Sequence, residues 1–424
     1  MRVLIVGGGG REHALAWRFA RDDASLEIIA APGNPGIAQV AECVAVAASD
    51  LPGLLALARQ RAVHLVVVGP EAPLALGIVD SFREAGIPIF GPTRAAAEIE
   101  TSKAFAKKLM IDAGIPTARA EIHTDVARAK AAVQRFGAPV VIKASGLASG
   151  KGVLVCASIA EADAAIDDML SGSRFGEAGH EVLVEEFMEG EEVSVFALTD
   201  GERFLTLPAL QDHKRLGDGD VGPNTGGMGA YLPVSLPRSE TDVTRILGGT
   251  LRALSEAGRP FTGLLYAGLM ITAEGPKVVE FNCRFGDPET QALLPALELD
   301  IPLFELMQVI ASGRPLPDAN ARLRLPCVTT VLAARNYPEA PALGDAITIP
   351  AHGDDVVVFH AGTVMDKDGV LRTSGGRVLA VSAVGETIAE AQQRSLAFAR
   401  TVEFAGKQFR SDIGWREIAR TSGN

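Results

Sequence analysis

The chain is poor in cysteine. Its four, Cys43, Cys156, Cys283 and Cys327, lie far apart and form no C-x-x-C pair. That argues against a disulfide framework and a structural zinc site; buried or incidental thiols are the expectation. Long apolar runs are missing too. None reaches the roughly 20 residues that a membrane-spanning helix requires, and the opening MRVLIVGGGG is too short an apolar run for a signal peptide. Net positive charge is absent. The formal charge of −12 disfavours a general nucleic-acid or anionic-membrane binder, while leaving room for a local basic pocket. Low-complexity tracts and internal repeats are also lacking, since the 45 Gly and 24 Pro are spread along the chain. These absences lead to the expectation of a soluble, cytoplasmic protein that acts on small molecules.

What is present is apolar material for several cores. The 424 residues are 47% hydrophobic, and domains of roughly 100–200 residues imply about three of them. The first hundred residues alternate strand and helix signals. Short apolar strands are expected at 2–6, 26–31, 63–68 and 87–90, with a helix at 11–21. This is a βαβ pattern, so an open parallel sheet is predicted. The strands end in GGGG, APGNPG, VGPEAP and FGPT. Ligands collect at the carboxyl ends of such strands, so these loops should converge on one site.

A helix is predicted over 93–113, stopped by GIP. From residue 125 the order is helix, strand (139–144), Gly-rich loop (146–152), strand (153–156), helix (159–170), strand (181–185), a compact α+β unit. Residues 191–325 carry more strands and one long polar segment, 211–231. After Pro326 the signals are mostly β, with a helix near 387–401, which predicts a separate carboxyl-terminal domain.

Five segments carry the chemistry. GGGGREH opens a helix after a strand, where backbone N–H groups suit a phosphate. It is not a dinucleotide fingerprint, because Glu12 holds the third glycine position and no acid ends the second strand. VIKASGLASGKGV puts Lys143 at a strand end and Lys151 in a Gly-rich hairpin, which suits closure over a polyphosphate; solvated lysines are the plainer alternative. VLVEEFMEGEEVSV leads a strand into a hinge that could face an adenine edge, or be an acidic turn. QDHKRLGDGDVGPNTGGMGAY is long, polar and Gly-rich, which marks a functional loop; its His213 reads as a hydrogen-bonding residue rather than a base.

The fifth is VVEFNCRFGDPETQ. Glu280 and Asn282 are two apart on a strand and share a face. A carboxylate and an amide oxygen suit Mg²⁺ completed by phosphates and water. Arg284 shares that face if the strand continues, and could clamp a carboxylate or phosphate. Asp287 and Glu289 could hold an ammonium or a sugar hydroxyl. A strand-end salt-bridge cluster is the alternative.

Together these segments, with PGNPG, GPEAPL, SKAFAK, LYAGLM, FHAGT, GGRVL and DIG, resemble the phosphoribosylamine–glycine ligase family, the glycinamide ribonucleotide synthetases of the ATP-grasp superfamily, over essentially the whole chain. GPNTGGMGAY and RFGDPETQ carry the specificity of the match. The resemblance implies a pre-ATP-grasp parallel sheet over 1–101, a two-part ATP-grasp region with its core at 102–122 and 191–325 and its lid at 123–190, and a mostly β domain over 326–424. It implies ATP, glycine and 5-phosphoribosylamine as substrates, a glycyl phosphate intermediate, Mg²⁺ or Mn²⁺ as cofactor, and a monomer or weak homodimer. Residue by residue, Lys103 and Lys143 match lysines on ATP phosphates. Gly146, Ser149, Gly150 and Lys151 match the loop over them. Glu185, Glu186 and Met188 match the adenine edge, and Glu192 the ribose carboxylate. Glu280 and Asn282 match the metal ligands. Arg284 and Asp287, with Lys143, fall at the transferring group. Gly9, Gly10, Asn34 and Glu71 lie on loops for ribose phosphate. Asp212, Lys214, Asn224 and Glu289 complete the substrate residues.

Ser145, Thr101 and Asn336 depart from the commonest residues of the family, Asp, Gly and Gly. Another ATP-grasp ligase or carboxylase is the competing enzyme, and a non-catalytic nucleotide-binding module the competing class.

Overall fold

The computed structural model describes residues 1–146, 152–171, 179–236 and 240–422. Ser149, Gly150 and Lys151 lie outside the described residues. The first sheet is wholly parallel. Arg2–Gly7 lies at its centre, with Glu27–Pro32 then Glu42–Cys43 on one side and Leu65–Val68 then Ile89–Phe90 on the other. The order reverses direction at Arg2–Gly7, so the crevice for a ligand opens beyond its carboxyl end, at GGGG. Leu65–Val68 is buried along its whole length, as a strand covered by helices on both faces must be.

The helix predicted over 93–113 is two helices, Arg94–Thr101 and Lys103–Asp112. Ser102 breaks the pattern. Its backbone is extended, and its hydroxyl accepts from the Phe105 N–H to start the second helix. Thr101 is the last residue of the first helix, next to this break.

Two antiparallel sheets follow. One orders Ala120–His123, Val182–Glu186, Val140–Ala144 and Val153–Cys156. Helices Val126–Phe136 and Ile159–Leu170 pack their apolar stripes on it in a separate small core. The other orders Phe204–Thr206, Glu191–Thr199, Gly263–Thr272 and Gly275–Asn282. An isolated bridge from Thr117 to Val278 ties the segment before the first sheet to the last strand of the second.

The segment after Pro326 is mostly β, as expected, but its sheet reaches back before that residue. Its strands Cys327–Ala333, Arg377–Val384 and Val356–His360 form one antiparallel sheet with Gly229–Leu232 and Gln211–Asp212. The polar segment 211–231 is thus built into that sheet at both ends, and between them Arg215–Gly217 pairs with Val221–Asn224. It is a folded hairpin rather than an open loop. Val331 and Phe359 join one large apolar cluster with Leu15 and Phe19 of the first helix, so amino- and carboxyl-terminal parts share a core. Asn336 has φ +66, a left-handed conformation in which glycine is cheapest and asparagine the best-tolerated substitute. That accounts for its occupying a position where glycine is common.

Candidate active site

The site forms where Gly275–Asn282 ends. This strand pairs with Gly263–Thr272, matching Gly268 to Glu280 and Leu269 to Val278, so Val279 is the extra residue of a bulge. The Val279 carbonyl accepts from Lys143 Nζ at 3.1 Å. A Cβ on Gly268 would meet Glu192 Oε1 and Glu280 Cγ, each at 3.5 Å, which puts those two acids side by side. Burial pushes the Glu280 carboxyl up, but Lys214, Lys143, Lys103 and Arg284 outweigh it and hold it below its ordinary value. Glu280 is therefore an ionised carboxylate in a ring of cations.

Each cation is itself fixed. Lys143, buried on Val140–Ala144, pairs with Glu185 at 2.8 Å, and Lys107 reaches the same carboxylate at 3.2 Å. Lys107 also donates to Thr117 Oγ1 and the Ala118 carbonyl, at 2.7 and 3.1 Å. Glu185 thus spends its side chain on two buried lysines, and any contact with an adenine edge falls to the backbone. Lys103 donates to the Gly146 carbonyl at 3.1 Å, and its own N–H bonds to Ser145. The Ser145 hydroxyl accepts from the Ala104 N–H, so serine fills this position as a local backbone partner. Burial lowers the Lys103 pKa, with Glu280 opposing. Lys214 forms an ion pair with Glu192.

Arg284 does not continue the strand, which stops at Asn282. It sits in the bend beyond, where its guanidinium lies 2.9 Å from Glu100 and 3.4 Å from Glu71. Glu100 is buried and also accepts from the Cys283 N–H at 2.7 Å. Burial raises the Glu100 pKa despite Arg284; at Glu71 burial also pushes up, but Arg284 and Arg11 prevail and the pKa is lowered. Two acids from the amino-terminal part thus aim an arginine that follows the last strand of the second antiparallel sheet. Glu100 and Lys107 were missed by sequence reasoning; their only local signal was a charge on the buried stripe of a helix.

Asp287 lies 3.3 Å from Arg377 and accepts from Gln291 at 2.7 Å. Burial raises its pKa, but Arg377 and Arg11 overcome this and lower it. Arg11 also donates to the Phe285 carbonyl at 3.1 Å. The RFGDPETQ turn therefore links the GGGG loop to the carboxyl-terminal sheet. Glu289 and Asp212 form an acidic pair of a different kind. Burial raises both, with Asp212 up to about 8, and Lys214 only partly offsets it. Ser194 Oγ lies 3.5 Å from Glu289 and 2.9 Å from the Tyr266 hydroxyl.

Several glycine-loop expectations change. The Gly9 N–H, expected to face a phosphate, donates to Glu12 at 2.6 Å, so an acid of the same helix already satisfies it. A Cβ on Gly10 would lie 2.5 Å from Gln291, so this glycine serves close packing against Glu289–Ala296. The Asn34 side chain donates to the Gly8 and His360 carbonyls and accepts from the Gly36 and Ile37 N–H groups. It shapes the loop and leaves the loop backbone to meet a ligand. Glu186 is bound by Arg119, and Met188 is half-buried in the hinge beyond. Asn224 is exposed and pairs with Arg215 across the hairpin. His213 uses both ring nitrogens: Nε2 accepts from Gly414 at 3.1 Å, so Nδ1 carries the proton that faces Asp220 at 3.3 Å. It has no lone pair for base chemistry.

The residues form an anion cradle (Lys103, Lys143, Lys214, Arg284) wrapped around acid and amide oxygens (Glu280, Asn282), with an acidic pocket behind it. Such a cradle suits phosphoryl transfer to a carboxylate rather than nucleophilic catalysis by the protein. Comparison with known proteins agrees. The family descriptions "Phosphoribosylglycinamide synthetase" N domain, ATP-grasp (A) domain and C domain match residues 1–100, 101–290 and 327–416. The phosphoribosylamine–glycine ligase of Xanthomonas campestris pv. campestris is 50% identical, with 99% of each chain covered. That of Yersinia pestis is 48% identical over 99% of this chain and 100% of its own. The crystal structure of the Thermotoga maritima phosphoribosylamine–glycine ligase superposes with a TM-score of 0.86 at 34% identity, covering 97% of this chain and all of that one. At 19% identity, the biotin carboxylase domain of Hydrogenobacter thermophilus 2-oxoglutarate carboxylase shares the fold, with a TM-score of 0.73 over 96% of this chain and 91% of that one. Matching along the full length identifies the chain as a member of the phosphoribosylglycinamide synthetase family, the ATP-grasp ligases of purine biosynthesis that join glycine to 5-phosphoribosylamine.

Proposed function

We propose that the ligation runs through glycyl phosphate at the cradle around Glu280. The observation that carries this reading is the ring of fixed cations beside an ionised carboxylate, with no histidine, serine or cysteine nucleophile among the described residues of the ring. ATP lies with its base at the hinge of Glu186 and Met188 and its ribose at Glu192. Its phosphates run along Lys103 and Lys143 beside Gly146, and the role of phosphate contact is assigned to Ser149, Gly150 and Lys151 as well. Arg284 clamps the glycine carboxylate bidentately and keeps its charge as the γ-phosphoryl group arrives. Asp212 and Glu289 line the pocket for the glycine ammonium: burial pushes both carboxyls toward the neutral form, and a cation arriving beside them favours the ionised one. Phosphoribosylamine approaches from the crevice of the parallel sheet, past Gly9, Gly10, Asn34 and Glu71, with Asp287 at the junction. Its amine attacks the glycyl carbonyl and phosphate leaves.

Glu280 and Asn282 offer two oxygen donors at one strand end, and no group of three or more His, Cys, Asp or Glu among the described residues could hold a metal by itself. That half-shell fits a hard cation that takes its other ligands from phosphates and water, Mg²⁺ or Mn²⁺. When bound, the cation would neutralise phosphate charge. No helix among the described residues is long and apolar enough to cross a membrane. With the charge of −12 this supports a cytoplasmic enzyme, acting as a monomer or weak homodimer. The lid at 123–190, with its own small core, would close on the remainder of the ATP-grasp region at 102–122 and 191–325; 1–101 and 326–424 would wall the amine site.

The intermediate is tested with glycine labelled with ¹⁸O in its carboxylate. One labelled oxygen should appear in the released inorganic phosphate. Phosphate free of label would rule out glycyl phosphate.

A further inference from the structure

Arg410 is the largest fully buried side chain among the described residues. It lies outside every segment used above, in the stretch that precedes the last helix, Trp415–Ser422. A buried guanidinium must place its donors, and this one does. Nη1 reaches Asp220 at 2.7 Å and the Arg215 carbonyl at 3.2 Å. Nε and Nη2 form a fork on Asp412, both at 2.7 Å. Asp412 in turn accepts from the Gly219 N–H at 2.8 Å. Asp220, at a left-handed φ of +58, also receives Arg416 at 2.5 Å and faces His213 Nδ1 at 3.3 Å. The Gly414 N–H closes the circuit on His213 Nε2. Nearby, Ser411 N–H donates to Asp218 at 2.8 Å.

Everything this cluster grips belongs to one element, the hairpin of residues 213–224. His213 stands between Asp212 and Lys214. Its ring is fully buried against Tyr231, with ring centroids 5.7 Å apart. Successive residues of extended chain point to opposite sides. A ring pinned behind the hairpin therefore fixes Asp212 and Lys214 in front of it, where Lys214 pairs with Glu192.

We propose that Arg410 and Asp220, acting through His213, are positioning residues for the ligation. On this reading the carboxyl-terminal arm is a brace that sets Asp212 and Lys214 against the bound amino acid. The inference rests on the reading of Asp212 and Lys214 as substrate-site residues. Binding of the nucleotide base and phosphates at Glu186, Met188, Lys103 and Lys143 does not pass through the brace; the brace's one link to the nucleotide is the Lys214–Glu192 pair at the ribose.

The test uses the full chain with Arg410→Gln, Asp220→Asn and the double variant, and Lys214→Met as a control. Asparagine keeps the left-handed backbone of residue 220 and removes only its charge. Each single variant should lower kcat/KM for glycine about 10- to 100-fold, as misplacement of a reacting partner does, while ADP affinity, reached only through the Lys214–Glu192 pair, falls by a clearly smaller factor. The double variant should fall little further than the worse single, because each breaks the shared Arg410–Asp220 link through which the brace reaches His213. Unchanged glycine kinetics, additive losses, or equal loss of ADP affinity would overturn the brace. Should Arg410→Gln fail to fold, Asp220→Asn carries the same split alone. A Lys214→Met enzyme with normal glycine kinetics would instead overturn the reading of the site on which the brace depends.

Discussion

At Glu185 a carboxylate matched to a ligand proves to serve two lysines. Its side chain is buried with Lys143 and Lys107. Removing one member of such a group leaves uncompensated charge, which costs about 3–5 kcal/mol. Glu185→Ala should therefore lower the urea midpoint strongly, while Glu185→Gln, which keeps an acceptor oxygen for one of the two lysines, should lower it less. Equal small shifts in the two variants would mean that the lysines find other partners. The residues legible in the sequence were those whose partners are close along the chain. Glu280 and Asn282 follow from period two within one strand. Glu100 and Lys107 were not legible, because what each touches, Arg284 and Glu185, comes from another element far away in sequence. The Gly9 N–H was misjudged for the opposite reason. Its competitor, Glu12, was near at hand but was weighed as a broken fingerprint position and not as a cap.

Between elements, the contact of the first helix with the carboxyl-terminal sheet carries a pH dependence. His13 Nδ1 accepts from the His360 N–H at 2.8 Å, and the two rings lie 5.7 Å apart. Burial, with the nearby His360 charge, pushes His13 down to about 3, and burial pushes His360 down to about 4. Both are bases whose folded values lie below the ordinary one near 6.5. The unfolded chain therefore binds more protons in this window. Stability is unaffected above about pH 6.5 and declines as pH falls through it, by up to about 1.4 kcal/mol per pH unit for each histidine. Thermal melts between pH 8 and 5 should show this decline. His13→Asn, which keeps an acceptor near the Nδ1 position but does not titrate, should show a shallower one; parallel curves would refute the assignment. Element type was largely legible. The parallel sheet and the helix near 159–170 follow from periodicity. The break at Ser102 was not, because a cap in mid-pattern resembles any exposed serine.

For the molecule as a whole, the sequence suggested separable blocks, and the amino-terminal sheet could be read as one. The carboxyl-terminal domain could too, at 327–416, but the reach of its sheet could not. Its sheet recruits Gln211–Asp212 and Gly229–Leu232 from before Pro326, and its last residues hold the hairpin behind Lys214. Strand pairing across so long a separation leaves no local trace in composition or period. The consequence is a candidate site drawn from every part of the chain: Glu71 and Glu100 from the first part, Lys143 from the first antiparallel sheet, Glu280 from the second with Arg284 in the bend beyond it, and Arg377 from the last sheet. The central claim is that these groups act around the Glu280 carboxylate. Its most direct test is ADP release by the wild-type chain and by Glu280→Gln with ATP and saturating Mg²⁺, supplied with glycine, phosphoribosylamine, or both. Sustained turnover is predicted only with both substrates, and Glu280→Gln should lose about 10²–10³ in kcat, the scale of one lost charge contact in a preorganised site, with its melting temperature held. Near-normal turnover by the folded variant would contradict the account.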